Sequence, residues 1–480
     1  MPDQSILLAL ESKTNPMLQY IVKSFTEAFM SKQLDFTKGN ILSLLMRFAL
    51  PVLTALLLQA MYGAVDLIIV GKYAATADIS AVATGSQLMQ TVTGVLVGLS
   101  TGITVLVARR IGEKQPEEAG RVIGSGITLF AGIAISLTLL LVLFTSPICI
   151  LMQTPEEAFV PTVSYVRICS MGTVFIIAFN VLGSIFRGIG DSKMPLITVS
   201  IATAANICGD LLLVAIFRMG AAGAAAATVF AQSVSVILSV FIIRRRSLPF
   251  TIQKKDLKPN KEDVLGILKL GVPLALQDLL VSVSFLVIMA IVNSLGVIKS
   301  AGVGVAEKLC AFVMLIPSAY SQAMSAFVAQ NMGAEKPERA NKALWYGIIT
   351  SLGAGFLIGY ISFFHGDLLA GIFANDTDVI QAAASYLKAY VIDCLLTSFL
   401  FCLSGYFSGL GNTLFVMIEG IIGAFCVRIP VSYFVSRIPD VELFYIGLAT
   451  PASTLLQIFM CLVFYFYINK KRREQDVCPT

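Results

Sequence analysis

The stretch LPVLTALLLQAMYGAVDLIIVGKY, residues 50–73, decides how the rest of the chain is read. It is an almost unbroken apolar run with one proline near its start, Pro51, and one acid deep inside it, Asp66. At about 1.5 Å of rise per residue it is long enough to cross a hydrocarbon layer of about 30 Å. A carboxylate at that depth costs roughly 2.5–3.5 kcal/mol on insertion scales, so it faces a protein interior or a watery cavity and marks an ion, proton or substrate path. The alternative for Asp66 taken alone is a buried polar anchor for a neighbouring helix.

The rest of the chain has the same character. Of 480 residues 57% are hydrophobic and 13% charged, and the mean hydropathy is +0.84. That is the composition of a polytopic membrane protein. Apolar runs recur along the whole length, leaving no room for a soluble catalytic or nucleic-acid-binding domain, and the net charge of +5 reads as topology. The nine cysteines lie almost all inside apolar runs without a CxxC pair, which fits small buried side chains and neither a disulfide framework nor a zinc site. His365 is the single histidine, so histidine ligand clusters are excluded. Residues 1–40 form an N-terminal cytoplasmic segment without the features of a cleavable signal; within it, 17–30 suits either an amphipathic surface helix or disorder.

Apolar runs of spanning length number twelve, at about 44–70, 79–108, 122–145, 161–183, 194–217, 222–243, 264–292, 301–329, 342–363, 382–403, 413–436 and 443–468. The expected fold is all-α and integral to the membrane. Twelve spans put both termini on one side. That side carries 25 Lys and Arg against 4 on the other, which places both termini in the cytoplasm of a multi-pass protein of the plasma membrane. The polar stretch 244–263 is the one long linker, and it falls at the midpoint. It separates an N-lobe (41–243, six spans) from a C-lobe (264–470, six spans), with a tail at 471–480.

The halves are repeats. Pro51 answers Pro273, Gly112 in RRIGEKQPEEA answers Gly333 in QNMGAEKPERA, Tyr165 in SYVR answers Tyr386 in SYLK, and Gly188 in FRGIGDS answers Gly409 in FSGLGNT. All four share an offset of 221 or 222 residues. An even number of spans per half gives both halves one orientation, hence two pseudo-symmetric six-helix bundles about an axis along the membrane normal. Small-residue runs such as GAAGAAAAT at 220–228 permit close helix packing.

Asp66 has companions. Asn206 and Asp210 stand four residues apart in the fifth span, on one helix face. Gln59, Tyr165 and Thr228 add neutral oxygens; each alone reads as an interhelical hydrogen bond. Two carboxylates held close inside a membrane cannot both stay ionised without a counter-cation, so one binds a proton or both share a metal ion. Asp66, Asn206, Asp210 and Thr228 form the oxygen set that would hold Na⁺. The repeat positions in the C-lobe are Ile288, Val427 and Val431, so the acid cluster is not duplicated. The C-lobe offers Asp278, Glu307, Lys308, Lys388, Asp393, Glu419 and Arg428 in or near spans. Asp393 and Asp278 are its candidates for the substrate cavity. Glu419 and Arg428 are a candidate ion pair, although about 13–14 Å of helix rise between them calls for partners on other helices.

Over about residues 40–470 the chain resembles the multidrug and toxic compound extrusion (MATE) family and is similar to its MepA-like bacterial branch. The likeness rests on Pro51 fifteen residues before Asp66, Gln59 seven before it, the N-x-x-x-D of Asn206 and Asp210, Tyr165 45 residues before Asp210 and Thr228 18 after it. The resemblance implies that these residues form an N-lobe site for H⁺ or Na⁺ and that the first span bends at Pro51 when the site fills. It also implies an antiporter that exports organic cations and other amphipathic drugs by alternating access, with no cofactor beyond the coupling ion. The expected partners are small amphipathic or cationic drugs and the lipid bilayer, the expected state is monomeric, and no nucleic acid is expected. One departure stands out. Where a branch of the family has a Glu in the seventh span and an Asp in the tenth, this chain has Val281 and Thr397, with Asp278 and Asp393 about one turn away.

The same architecture could instead move a lipid-linked or other amphipathic metabolite, as flippases do, and Lys308, Lys388 and Arg428 keep that reading open. An ATPase is disfavoured because no G-x-x-x-x-G-K-[ST] loop is present. An integral-membrane enzyme is disfavoured because no His-based or Asp-rich reactive constellation exists.

Overall fold

The computed structural model describes residues 33–477 apart from 247, 251 and 375; the surface helix considered for 17–30 lies outside them. The described residues form helices and connecting turns, with no strand among them. Among the described residues eleven helices are long and apolar enough to cross a membrane, and a bent pair, taken as one span, makes a twelfth. In order these are α1 (Ile41–Tyr73), α2 (Thr76–Gly112), α3 (Pro116–Leu143), the bent α4 (Glu156–Met171 and Thr173–Gly188, at 52°), α5 (Lys193–Ile216) and α6 (Gly220–Arg244). The second half follows as α7 (Lys261–Asn293), α8 (Val297–Gly333), α9 (Pro337–Phe364), α10 (Thr377–Leu410), α11 (Thr413–Ser436) and α12 (Leu443–Arg472). In a bilayer a spanning backbone must satisfy its own hydrogen bonds, which is why these apolar runs resolve as helices.

Local chemistry sets the boundaries, and it repeats. Asn40 caps α1 by accepting from the Ser43 amide, and Asn260 caps α7 by accepting from the Glu262 and Asp263 amides. Pro116 and Pro337 occupy the first turns of α3 and α9, where a missing N–H costs nothing. Left-handed residues mark corresponding turns: Lys114 with Glu335, Gly190 with Gly411 and Arg218 with Asp440. The helices extend a few residues beyond the apolar runs because these caps, not hydropathy, end them.

The two bundles meet along α1, α2, α7 and α8. Their closest approach is reciprocal. A Cβ on Gly112 would strike the Gln330 carbonyl oxygen, and one on Gly333 would strike that of Arg109, each contact being the other shifted by one repeat. Gly98, Gly102 and Gly271 carry the α2–α7 contact, whereas Gly94, further from the chain termini, has open space around it. The backbone-to-backbone seam therefore occupies the half of the molecule next to the termini.

The hydrophobic cores refine the expected lobe boundaries. Leu45, Phe48, Ala49 and Val52 at the start of α1 pack with α8, α9 and α10, while Ile69 and Val70 at its end pack with α2 and α4 of its own half. In α7, Ile267 and Ala275 pack with α2, α3 and α4, while Ile288 and Val292 pack with α8 and α10. Each lobe's first helix thus begins in the opposite lobe's core, and Pro51 and Pro273 lie near the crossovers. A membrane-spanning helix of this kind presents an apolar surface all round, so hydropathy cannot say which bundle each half joins.

Candidate functional site

The N-lobe site is assembled by α1, α5 and α6. Gly209, immediately before Asp210, would bring a Cβ to 3.0 Å from that of Ala227, so glycine on α5 and alanines on α6 let these helices close around the polar residues. Thr228 donates to Asp66 Oδ2 at 3.4 Å, and Asn206 Nδ2 donates to Thr228 at 3.5 Å. Asp66, Asn206 and Asp210 are buried, and the carboxyl groups of Asp66 and Asp210 are immediate neighbours. Four acceptor oxygens here have no donor: Asp66 Oδ1, Asn206 Oδ1 and both oxygens of Asp210. Directly after Asp210 the helix widens into a π-type segment, Leu211–Ile216, a deviation that recurs at functional sites.

Buried acceptors without donors are costly unless something positive sits among them. Two carboxylates, an amide and a hydroxyl are an all-oxygen set suited to a proton or a hard monovalent cation. Among the described residues no three His, Cys, Asp or Glu side chains gather as a metal site, so the neutral oxygens of Asn206 and Thr228 are needed to complete this one.

The other expected members are placed differently. Tyr165 is buried with its ring against Gly85 and has Asp66, Tyr62 and Cys169 as neighbours. Gln59 makes no bond to either acid. It lines a separate cavity of 80 Å³, and the Tyr62 hydroxyl stands between it and Gln232. Tyr62 and Gln232 escaped the sequence reading, although Tyr62, one turn before Asp66, lay within reach of the same face argument. Arg187 lines the 80 Å³ cavity and donates to Ser184 at 2.8 Å. Pro51 sits inside a helix that is unbroken from Ile41 to Tyr73.

The larger cavity, 570 Å³, lies mainly within the C-lobe between α7, α8, α10, α11 and α12, with α2 on one side. Asp278 and Asp393 line it, as do Val281 and Thr397, the positions where the resembling branch has its acids. Asp393 is buried and accepts from Thr454 at 2.6 Å. Glu307, Glu419 and Arg428 also line the cavity. Glu419 and Arg428 do not form an ion pair. Glu419 accepts from Ser404 at 3.2 Å, whereas Arg428 donates to Ser284 at 3.2 Å and stacks over the Phe285 ring at 4.6 Å. Their separation along α11 sends each to partners on other helices.

Two six-helix repeats packed face to face, a buried oxygen site in one and a large acid-lined cavity in the other are the features of a multi-pass membrane transporter. The MatE family profile matches residues 51–212 and again 273–434, one match per repeat. The chain belongs to the MatE family. It is 26% identical to the probable multidrug resistance protein YoeA of Bacillus subtilis (strain 168) over 89% of this chain and 94% of that one. The probable multidrug resistance protein YpnP of the same organism is also 26% identical, over 83% of this chain and 89% of its own. The multidrug export protein MepA of Staphylococcus aureus (strain MSSA476) is 26% identical over 81% and 86%. Among solved structures, a MATE crystal structure in complex with MaL6 superposes with a TM-score of 0.87 at 19% identity, over 92% of this chain and all of the other. The outward-facing conformation of a multidrug resistance MATE transporter gives 0.86 at 20% identity, over 92% and 99%. These structures share the fold.

Proposed function

We propose that the chain is a secondary antiporter of the plasma membrane, both termini cytoplasmic, that exports organic cations and other amphipathic drugs in exchange for H⁺ or Na⁺. The observation that carries this reading is the set of four donorless acceptor oxygens between Asp66, Asn206 and Asp210. A cation among them draws α1, α5 and α6 together. Without it, two unit charges at about 4 Å and an effective dielectric constant of about 20 repel by about 4 kcal/mol.

That repulsion acts on a helix built to respond. Pro51 gives no N–H to the carbonyl of Arg47, so α1 is weakened inside its C-lobe contact, ahead of the point where its packing passes to the N-lobe site. Filling or emptying the site re-aims the outer half of α1 against its inner half, and this couples the ion to the seam between the lobes. The membrane potential contributes about 2.3 kcal/mol per charge per 100 mV, comparable with the repulsion, so an ion gradient can drive the cycle.

The cargo follows from the C-lobe cavity. Four acids, Asp278, Glu307, Asp393 and Glu419, face one base, Arg428, on its wall. This balance favours a cation over the anionic head group of a lipid-linked precursor. Uptake of a fluorescent lipophilic cation into everted vesicles is the test, with a pH gradient or a Na⁺ gradient imposed alone. One of the two is expected to drive accumulation unaided. Accumulation under neither gradient would overturn the antiport reading.

A further inference from the structure

We propose that the C-lobe cavity contains two separate cation stations, one at Asp393 and Glu307 and a second, at Glu419 with Ser404 and Gln277, spaced to hold the two ends of one elongated dication. The proposal rests on the reading of a cationic cargo and names its shape.

Three helices separate the two stations by about 12–16 Å. Asp393 and Ser404 both face the cavity from the continuous α10, about 16 Å apart along its axis. On α11, Arg428 beside the first station and Glu419 at the second are less than about 13 Å apart, since Ile422–Arg428 is a π-type segment, and on α7 Phe285 and Gln277 are about 12 Å apart. Gln277 belongs at the second station because a Cβ on Gly420, next to Glu419, would meet its amide at 2.5 Å. Asp278, the next residue on α7, adds a carboxyl at that level.

Each station is left incomplete by the protein. Glu419 is 0% exposed; Ser404 bonds Oε1, while Oε2 has no partner. At the first station Thr454 bonds Asp393 Oδ1, and Glu307 Oε1 has no partner. Arg428 is engaged by Ser284 and Phe285, so two acids and one base leave this station one unit negative when ionised. Between the stations the wall is formed by Thr397, Leu400 and Phe401, a surface for an apolar or aromatic spacer. A monocation at either station leaves a buried carboxyl unmatched at the other. A dication places one positive end beside the orphaned carboxyl oxygen of each station, Glu307 Oε1 at the first and Glu419 Oε2 at the second.

The test is titration calorimetry on the purified full chain in detergent. The ligands are bis(trimethylammonium) alkanes of increasing spacer, each compared with the alkyltrimethylammonium of the same chain length so that chain hydrophobicity cancels. The ratio of monocation Kd to dication Kd should rise to about tenfold near ten to twelve methylenes, the length that spans about 16 Å, and stay near one for short spacers. Glu419→Gln should bring the long-spacer ratio to about one, and Glu419→Asp should restore most of it. A ratio that is flat with spacer length in the wild-type protein overturns the proposal, and so does a Glu419→Gln effect equal for both ligands. If the variant does not fold, the wild-type series alone decides. Length-selective binding without gradient-driven export would sink the antiport reading and leave the two stations standing. Export of a monocation with a flat ratio would do the reverse.

Discussion

Asp210 has no exposed surface and neither of its oxygens accepts from an N–H or hydroxyl, while Asp66 beside it accepts from Thr228 on Oδ2. An amide at either position keeps the shape but cannot take up a proton or balance a cation, so Asp66→Asn and Asp210→Asn should each abolish gradient-driven export while the protein still inserts. Vesicle uptake normalised to membrane-inserted protein measures this, and wild-type uptake by either variant would remove these residues from coupling. Thr228→Ala withdraws the one donor to Asp66 and the acceptor of Asn206, and should cost less, about five- to tenfold in rate, since a neutral hydrogen bond contributes about 1 kcal/mol. The acids were legible in the sequence because a charge inside an apolar run is conspicuous. Gln59 was misplaced and Tyr62 overlooked because neutral polar residues occur throughout such spans, and only the packing of α1 against α6 separates those at the site from those a turn away.

Gly112 ends α2 and Gly333 ends α8, and each lies against a backbone carbonyl of the other helix. A carbonyl cannot swing aside as the tip of a flexible side chain can, so Gly112→Val or Gly333→Val should hold the terminus-side ends of α2 and α8 apart. Export is expected to fall more than tenfold with insertion intact. Cysteine cross-linking between the two helix ends should lose its wild-type efficiency; unchanged cross-linking in Gly112→Val would show that the seam is looser than its geometry. The offset of 221 residues made the equivalence of these glycines readable, and the left-handed turns at Lys114 and Glu335 obey it too. What the offset could not foresee is where the repeats diverge. The equivalent helices α4 and α10 differ because Gly172, packed against Val229, bends one by 52° while the other runs unbroken from Thr377 to Leu410. Glycine weakens α4 at this point, and its close contact with Val229 on α6 leaves no room for a larger side chain there.

At the scale of the whole molecule the two lobes are braced by the segments that lead into α1 and α7. Residues 33–40 cross from one lobe to the other: the Leu34 amide donates to the Gly190 carbonyl, and the Phe36 amide donates to Gln330 Oε1 at 2.7 Å. Arg339 and Asn331 return hydrogen bonds to the Phe36 carbonyl, and the Phe36 ring is fully buried between Phe48 and Phe327, with centroids at 5.1 and 5.0 Å. The linker before α7 makes the reciprocal crossing onto α3, where Thr128 donates to the Leu257 carbonyl at 2.7 Å and Ser125 accepts from the Asn260 amide at 3.1 Å. Hydropathy gave the linker its place at the midpoint but not this role, because its anchors are backbone groups that carry no sequence signature. The crossing at 33–40 ties the two lobes together on the terminus side, so an opening there must break it. Phe36→Ala removes a buried aromatic ring of the kind that typically stabilises by about 3–5 kcal/mol, and a loss of that size is enough to shift a two-state equilibrium by two orders of magnitude or more. Spin labels at the exposed, repeat-related Glu117 and Glu338 should report it: a single short distance in the parent protein, and in Phe36→Ala a second, longer population that becomes the major one. An unchanged distance distribution in folded Phe36→Ala would mean that the glycine seam alone keeps the lobes closed.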